Sequence, residues 1–252
     1  MDKDTSLTFT NRNVKVGNFT LNVRSNNKTD HRVVILVHGI GVSEKYFRPL
    51  ADQLSSSYSV MSIDLPGYGE SKKPTRALNL DELAEILAQF IRQENIINPV
   101  VIGQSMGCQI VARLGLIADL TLYKLILLSP TINKAERTAS LQFFRLMQDS
   151  LKEPFIVNRI IISDYMKFGF MRFLKTQRYM IKDKIEVFLG QCLQPILIIR
   201  GENDKVVPRK WSKYLVGVLK NGFLIQIKDG PHNFQFTHSK DVAKICINFI
   251  EN

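Results

Sequence analysis

Short strand-like runs recur along the chain, and segments with a helical spacing of apolar residues separate them. The runs occupy residues 33–37, 58–63, 100–102, 125–128, 195–199 and 223–227. Runs that have no polar face are typical of strands buried on both sides of a parallel sheet. Between two of them, Leu83, Ile86 and Phe90 share one face of a helix. The alternation predicts an α/β fold with a mostly parallel, doubly wound sheet and with ligand chemistry at the carboxyl ends of its strands.

Local signals refine this pattern at three points before the third run. Residues 8–10 and 19–23 alternate apolar and polar side chains around Gly17 and Asn18, which predicts an antiparallel hairpin at the edge of the sheet. Ser43 is expected to cap the helix that follows it. Asn79 and Glu82 have the spacing of a capping box and predict a helix start.

The alternation breaks between residues 131 and 194. This stretch has many aromatic residues and no strand-like run, and it contains eleven Lys and Arg against six Asp and Glu. Phe144, Met147 and Leu151 follow a helical spacing. We predict a core domain formed by residues 1–130 and 195–252, with residues 131–194 inserted as a helical cap over the strand ends. Ordinary crossover helices are the alternative.

Composition agrees with a single globular domain. The 252 residues are 45% hydrophobic, and no run of apolar residues is long enough for a membrane span or a signal peptide. We therefore expect a cytoplasmic protein. The three cysteines sit in apolar surroundings without metal-ligand spacing, so we expect reduced packing residues and no metal or other cofactor.

The net charge of +11 raises the question of an anionic partner. Nucleic acid, an anionic membrane surface or an acidic small molecule would each be attracted by it. The basic residues are dispersed, and no zinc spacing or RNA-binding aromatic motif accompanies them. We therefore expect no nucleic-acid partner, keep weak association with an anionic membrane surface as a hypothesis, and leave the oligomeric state open.

Residues 103–107, Gly-Gln-Ser-Met-Gly, follow an apolar strand and open a helix. In this G-x-S-x-G pattern, a sharp turn holds the Ser105 hydroxyl clear of the backbone, and a side chain at either glycine would crowd a neighbouring strand or helix. The helix N-terminus beside Ser105 can stabilise an oxyanion. Ser105 is therefore the candidate nucleophile.

A serine nucleophile needs a base, which is usually a histidine oriented by a carboxylate. His232 leaves the end of a late strand, whereas His31 precedes a strand, His38 lies in a glycine turn where bracing the loop is the more common role, and His238 lies beside the last helix. We therefore choose His232. For the orienting acid we favour Asp204, with Glu202 and Asp229 as competitors, because a residue a few positions beyond one strand end can reach a histidine on the next.

Five motifs together resemble the α/β-hydrolase superfamily, and in particular its small esterases and carbon–carbon hydrolases. They are HGIG at 38–41, DLPGYGES at 64–71, GQSMG at 103–107, RGENDKVVP at 200–208 and GPHNF at 230–234. The resemblance implies a catalytic triad of Ser105, Asp204 and His232, and an oxyanion hole formed by the backbone N–H groups of Ile40 and Met106. We also expect Gly39, Gly41 and Gln104 to contact the substrate.

The leading hypothesis is a cofactor-independent serine hydrolase that acts on a carboxylic ester with an apolar acyl or aromatic group. A serine at position 105, rather than an aspartate, argues against dehalogenase and epoxide hydrolase chemistry. Two alternatives remain open. One is carbon–carbon bond hydrolysis or a lyase reaction on an oxo-acid with the same triad, and the other is a low-turnover ligand-binding or signalling protein.

Overall fold

The computed structural model describes residues 9–29, 31–150 and 155–252, and within these ranges eight strands form one sheet. The strands are β1 (Thr10–Val16), β2 (Phe19–Ser25), β3 (Val33–Val37), β4 (Ser59–Asp64), β5 (Val100–Gln104), β6 (Lys124–Leu128), β7 (Ile196–Gly201) and β8 (Gly222–Ile227). The sheet order is β1-β2-β4-β3-β5-β6-β7-β8; the pairs β1/β2 and β2/β4 are antiparallel, and all other neighbours are parallel.

Helices cover both faces of this sheet. They are α1 (Arg48–Leu54), α2 (Leu80–Gln93), α3 (Met106–Leu114), α4 (Ala139–Ser150), α5 (Phe155–Phe168), α6 (Phe170–Lys182), α7 (Ile185–Leu189), α8 (Arg209–Val218), α9 (Phe234–Thr237) and α10 (Ser239–Glu251), with short 3₁₀ turns at Glu44–Phe47 and Lys134–Glu136. Every helix in the described ranges is too short or too polar to cross a membrane.

Two hydrophobic clusters, one on each face, explain why the central strands are apolar throughout. In β3, Ile35 and Val37 pack on the side of α2 and α3, whereas Val34 and Leu36 pack on the side of α1 and α10. Successive strand side chains point to opposite faces, so both sets must be apolar when both faces are covered. The predicted doubly wound α/β sheet is confirmed.

The predicted hairpin is confirmed at the sheet edge, with Gly17 in the left-handed conformation (φ 54°) at the turn. Its first strand begins at Thr10, and Thr8 of the predicted strand lies outside the described ranges. The capping box of Asn79 and Glu82 is also confirmed, because each side chain accepts a hydrogen bond from the other residue's backbone N–H group.

The predicted cap by Ser43 is wrong. The Ser43 hydroxyl makes no capping bond and instead donates to Oδ2 of Asp164 on α5, at 2.5 Å. Hydrogen bonds to a carboxylate are stronger than those between neutral groups, and this one turns the hydroxyl toward α5. This hydrogen bond joins the glycine turn after β3 to the helices that lie between β6 and β7.

Those helices fill the segment that separates β6 from β7. Residues 134–136 and α4 to α7 are helical, and Leu151 of the predicted helical spacing lies outside the described ranges. α7 contacts α3 and α8, with Ile185 and Leu189 buried in the main cluster, so the end of this segment packs like a helix of the core. The division into core and cap at residues 131–194 stays a prediction.

The entry to α3 requires a close backbone approach. A Cβ atom at Gly103 would lie 2.6 Å from the carbonyl of Gly107, and one at Gly107 would lie 2.2 Å from the carbonyl oxygen of Val37 on β3. Both distances are far inside van der Waals contact. The prediction that a side chain at either glycine would crowd a neighbouring helix or strand is confirmed.

We expect Gly107→Ala to lower the free energy of unfolding by at least about 2 kcal/mol, because rigid backbone atoms must move to admit the methyl group. The matched control is Gly217→Ala in α8, where a Cβ atom meets nothing within 4 Å. That substitution should raise stability by about 0.5 kcal/mol through helix propensity. Urea unfolding of the two variants measures both effects, and equal stabilities would contradict the packing argument.

Candidate active site

Ser105 occupies a strained turn between β5 and α3. Its backbone angles are φ 54° and ψ −115°, in a region that residues with a side chain rarely adopt. Such a conformation costs about 1–3 kcal/mol and is typical of functional sites. Hydrogen bonds from Ser105 N to Leu128 O and from Cys108 N to Ser105 O, both at 3.0 Å, hold the turn.

Asp204 and His232 are brought together from separate strand ends. Asp204 follows β7, His232 follows β8, and the distance from His232 Nδ1 to Asp204 Oδ2 is 2.9 Å. Both side chains are buried. The competing acids Glu202 and Asp229 are exposed, and the Glu202 carboxylate accepts a hydrogen bond from the backbone N–H group of Asp229.

The Asp204 carboxylate accepts three further hydrogen bonds. Its Oδ1 atom accepts from the backbone N–H groups of Val206 and Val207 at 2.8 and 2.9 Å, and its Oδ2 atom accepts from the Ser129 hydroxyl at 2.6 Å. Burial alone would raise the pKa of Asp204, but His232, Ser129 and Val207 together hold this pKa below its usual value. The carboxylate is therefore ionised at neutral pH and fixed in orientation.

Sequence reasoning missed these three supporting groups. The two backbone contacts form a local Asx-type turn. An Asp can form such a turn with N–H groups two and three residues later, so Asp204 itself was a sequence signal for these contacts. Ser129 follows β6, far along the chain from Asp204, and no local pattern indicates its contact.

Two contacts connect the loops that carry the three candidate residues. Gln104, next to Ser105, donates from Nε2 to Oδ1 of Asn233, next to His232, at 3.4 Å. A Cβ atom at Gly201 would lie 2.3 Å from the carbonyl oxygens of Gly230 and Pro231, so the loops after β7 and β8 pack backbone against backbone. The three loops therefore converge at the carboxyl edge of the sheet.

His38 braces the glycine turn after β3. Its Nε2 atom accepts from the backbone N–H group of Leu65 at 3.1 Å, so Nδ1 carries the proton that it donates to the Gly39 carbonyl at 2.8 Å. The pKa of His38 is lowered to about 4, because burial of the ring disfavours the charged form. The Gly39 carbonyl and nearby Asp164 act in the opposite direction and raise this pKa, but by less. The remaining histidines lie elsewhere: His31 is exposed, and the Nδ1 atom of His238 contacts the Thr237 hydroxyl.

The predicted oxyanion residues flank Ser105. Ile40 lines the same cavity as Ser105, and Met106 is the first residue of α3, where N–H groups lack partners within the helix. A Cβ atom at Gly39 would lie 3.2 Å from the Cβ atom of Ser105, so the glycine turn passes directly beside the serine. Donation by these two N–H groups to an oxyanion stays a prediction.

A narrow cavity lies over Ser105. Its volume, counted as the space that the centre of a water molecule can reach, is about 20 Å³. Apolar side chains and uncharged polar side chains line it, and helices of the segment between β6 and β7 contribute several of them. The lining residues are Ile40, Ser105, Thr131, Ile132, Gln142, Phe173, Gln177, Met180 and Val206.

The residues predicted to contact substrate lie beside this cavity rather than in its lining. Gly39 packs against Gln104 and Ser105, and Gly41 (φ 74°) packs against the ring of Tyr165. Gln104 is buried and directs its amide to Asn233. Their contact with substrate stays a prediction. Among the described residues, no group of three or more His, Cys, Asp or Glu side chains is placed to hold a metal ion.

The family model of the alpha/beta hydrolase fold matches residues 32–172, more than half of the chain. This protein belongs to the α/β-hydrolase family. The α/β-hydrolase fold predicted from the five sequence motifs is therefore confirmed. Relatives in the family include esterases, carbon–carbon hydrolases and peroxidases.

Similarity to individual relatives extends over nearly the whole chain. The α/β-hydrolase is 24% identical over 252 aligned residues to the magnesium-chelatase 30 kDa subunit of Rhodobacter capsulatus, with 88% of each chain covered. It is 23% identical over 272 aligned residues to the 2-hydroxy-6-oxononadienedioate/2-hydroxy-6-oxononatrienedioate hydrolase of Klebsiella pneumoniae, with 94% of each covered. The solved structure of the esterase EaEST from Exiguobacterium antarcticum superposes with a TM-score of 0.78 at 16% identity, covering 93% of this chain and 96% of that one.

The buried neutral state of His38 predicts a pH dependence of stability. The unfolded chain binds a proton at a pKa near 6.5, whereas the folded chain binds it only near 4, so stability falls as the pH drops between these values. We expect His38 to lower the free energy of unfolding by about 3 kcal/mol over this pH range. His38→Gln, which keeps an acceptor for Leu65, should be less stable at pH 7 and should show a flatter profile in urea unfolding from pH 7 to pH 4. Parallel profiles would contradict this account.

Proposed function

We propose that this α/β-hydrolase is a serine hydrolase that cleaves neutral carboxylic esters with an apolar acyl group. The observation that carries the proposal is the strained turn that places Ser105 in the lining of an uncharged cavity, together with the buried Asp204 and His232 pair at the carboxyl edge of the same sheet. A strained serine at a helix N-terminus and a histidine oriented by an ionised carboxylate are the parts that acyl transfer requires.

The reaction proceeds in two halves. His232 takes the proton of the Ser105 hydroxyl as the oxygen attacks the ester carbonyl, and the N–H groups of Ile40 and Met106 stabilise the oxyanion. The alcohol leaves with the proton from His232, and the acyl group stays on Ser105. His232 then activates a water molecule that releases the acid. Asp204 holds the His232 ring with Nδ1 protonated throughout.

The cavity lining supports a neutral acyl group. Within the described residues, its polar members Thr131, Gln142 and Gln177 are uncharged, and no Lys or Arg side chain lines it. A carboxylate on the acyl side would be buried without a counter-charge, which is costly. This observation favours ester hydrolysis over the alternative of cleavage of a carbon–carbon bond in an oxo-acid.

The first test is labelling with a fluorophosphonate probe, together with rates on nitrophenyl esters of increasing acyl length. We expect Ser105 to be labelled and kcat/KM to pass through an optimum in chain length, because the cavity is narrow and its lining is uncharged. Ser105→Ala should lose the label and lower kcat by about 10⁴- to 10⁶-fold. A folded wild-type protein that binds esters without labelling or turnover would favour the ligand-binding alternative, and faster turnover of an oxo-acid than of any ester would favour carbon–carbon cleavage.

The role of Asp204 is tested by substitution among the three nearby acids. Asp204→Asn should lower kcat by about ten-thousand-fold, because the amide no longer holds His232 in the required tautomer. Asp229→Asn and Glu202→Gln are matched controls on exposed loop positions and should change kcat less than about twofold. Steady-state kinetics on the preferred nitrophenyl ester measures all three, and a large loss in Asp229→Asn with a small one in Asp204→Asn would reassign the orienting acid.

A further inference from the structure

The end of α5 and the start of α6 expose an unusual number of large apolar side chains. The fractional exposures are 61% for Ile162, 79% for Met166, 72% for Phe170 and 67% for Met171. We name these four residues the apolar patch. Single exposed apolar residues are normal on a soluble protein, but several large ones within ten positions mark an interaction site. Ile162 and Met166 are one helical turn apart, and the other two follow directly after Gly169.

Packing of the helices on the core does not account for this patch. The ring of Phe168 stacks on Tyr68 at 4.2 Å, Tyr165 covers Gly41, and Phe173 lines the cavity. α5 and α6 therefore already bury one apolar face. The patch belongs to their opposite, outward side and is additional to what folding needs.

A basic stripe continues from the patch along α6. Met171, Lys175, Arg178 and Lys182 are all exposed and follow the spacing i, i+4, i+7, i+11, so they lie on one side of the helix. These three cations, and Lys184 after them, have no acidic partner in the part of the chain that the structure describes. Such a surface is unneutralised and attracts anions.

The acidic residues of the same helices are turned inward. Between residues 159 and 184 the acids are Asp164 and Asp183, and both are buried. Asp164 accepts from Ser43, and Asp183 accepts from Arg113 and Gln109 at 2.5 and 2.7 Å. Among the described residues, Glu70 of the core is the exposed acid that pairs with a cation of these two helices, Lys167. The outward side of α6 is therefore positive.

We propose that the apolar patch and the basic stripe together bind the surface of an anionic phospholipid bilayer. Large apolar side chains that enter the boundary of the acyl region, with Lys and Arg beside them for the phosphate groups, are the features of interfacial membrane helices. A second copy of this chain fits less well, because Asp164 and Asp183 are buried, so these helices of a partner copy would offer no free carboxylate to the basic stripe.

The same helices carry both surfaces. Phe173, Gln177 and Met180 of α6 line the cavity over Ser105, while Met171 and Lys175 lie on its outward side. Bilayer binding would therefore hold the cavity close to a lipid surface. The inference goes beyond the proposed function, since binding does not require Ser105 chemistry, and Ser105→Ala should bind vesicles as the wild type does.

The test is co-sedimentation of the full chain with vesicles of phosphatidylcholine alone, or mixed with phosphatidylglycerol. We expect binding to the mixed vesicles that weakens with added salt. The double variant Phe170→Ser/Met171→Ser should bind the mixed vesicles at least about tenfold more weakly. The triple variant Lys175→Gln/Arg178→Gln/Lys182→Gln should lose the preference for phosphatidylglycerol.

Matched controls separate this site from the general positive charge. Ile97→Ser/Leu193→Ser removes two apolar residues that are equally exposed elsewhere, and Lys210→Gln/Lys213→Gln/Lys240→Gln removes the same charge from other exposed positions. Both controls should bind like the wild type. The proposal would be overturned if vesicle binding fell equally in the control variants, or if the wild type bound neither kind of vesicle. A dimer in light scattering that dissociates in Phe170→Ser/Met171→Ser, without vesicle binding, would also overturn it and assign the patch to self-association.

Discussion

The close approach of α3 to β3 is the constraint on which the rest of the site depends. Gly107 lies so near the Val37 carbonyl that no side chain fits, and Gly103 is similarly enclosed by the helix that follows. Ser105 turns the chain from β5 into α3 in this space with a positive φ of 54°. The strain is therefore held by backbone packing on two elements, and the turn places Ser105 in the lining of the cavity.

A second constraint is the buried charge of Asp204. An ionised carboxylate away from water must be satisfied, and four donors satisfy this one: two backbone N–H groups, the Ser129 hydroxyl and His232. These donors come from the loops after β6, β7 and β8. The hydrogen bonds that offset the cost of burying the Asp204 charge therefore also join three strand ends and orient His232. Stability and site geometry have a common origin in these bonds.

The helices between β6 and β7 link this site to the outside of the molecule. Their inward side chains line the cavity and pack on the glycine turn after β3, and two of their acids, Asp164 and Asp183, accept hydrogen bonds from Ser43 and Gln109 of the core. What remains on the outward side is apolar at the junction of α5 and α6 and basic along α6. One pair of helices thus has an uncharged side toward the cavity and a positive side on the outside of the molecule.

The sequence by itself predicted the alternating sheet, the glycine requirement around Ser105 and the Asn79 capping box, because each depends on neighbours within a few positions. It singled out Asp204 and His232 by their places after late strands, and their catalytic roles stay a prediction. It could not show that Ser43 bonds Asp164, that Ser129 supports Asp204, or that the cavity lining is uncharged. Those features join residues far apart in the chain. Only the tertiary structure decided them, since long-range partners are selected by how packed elements meet and not by local periodicity.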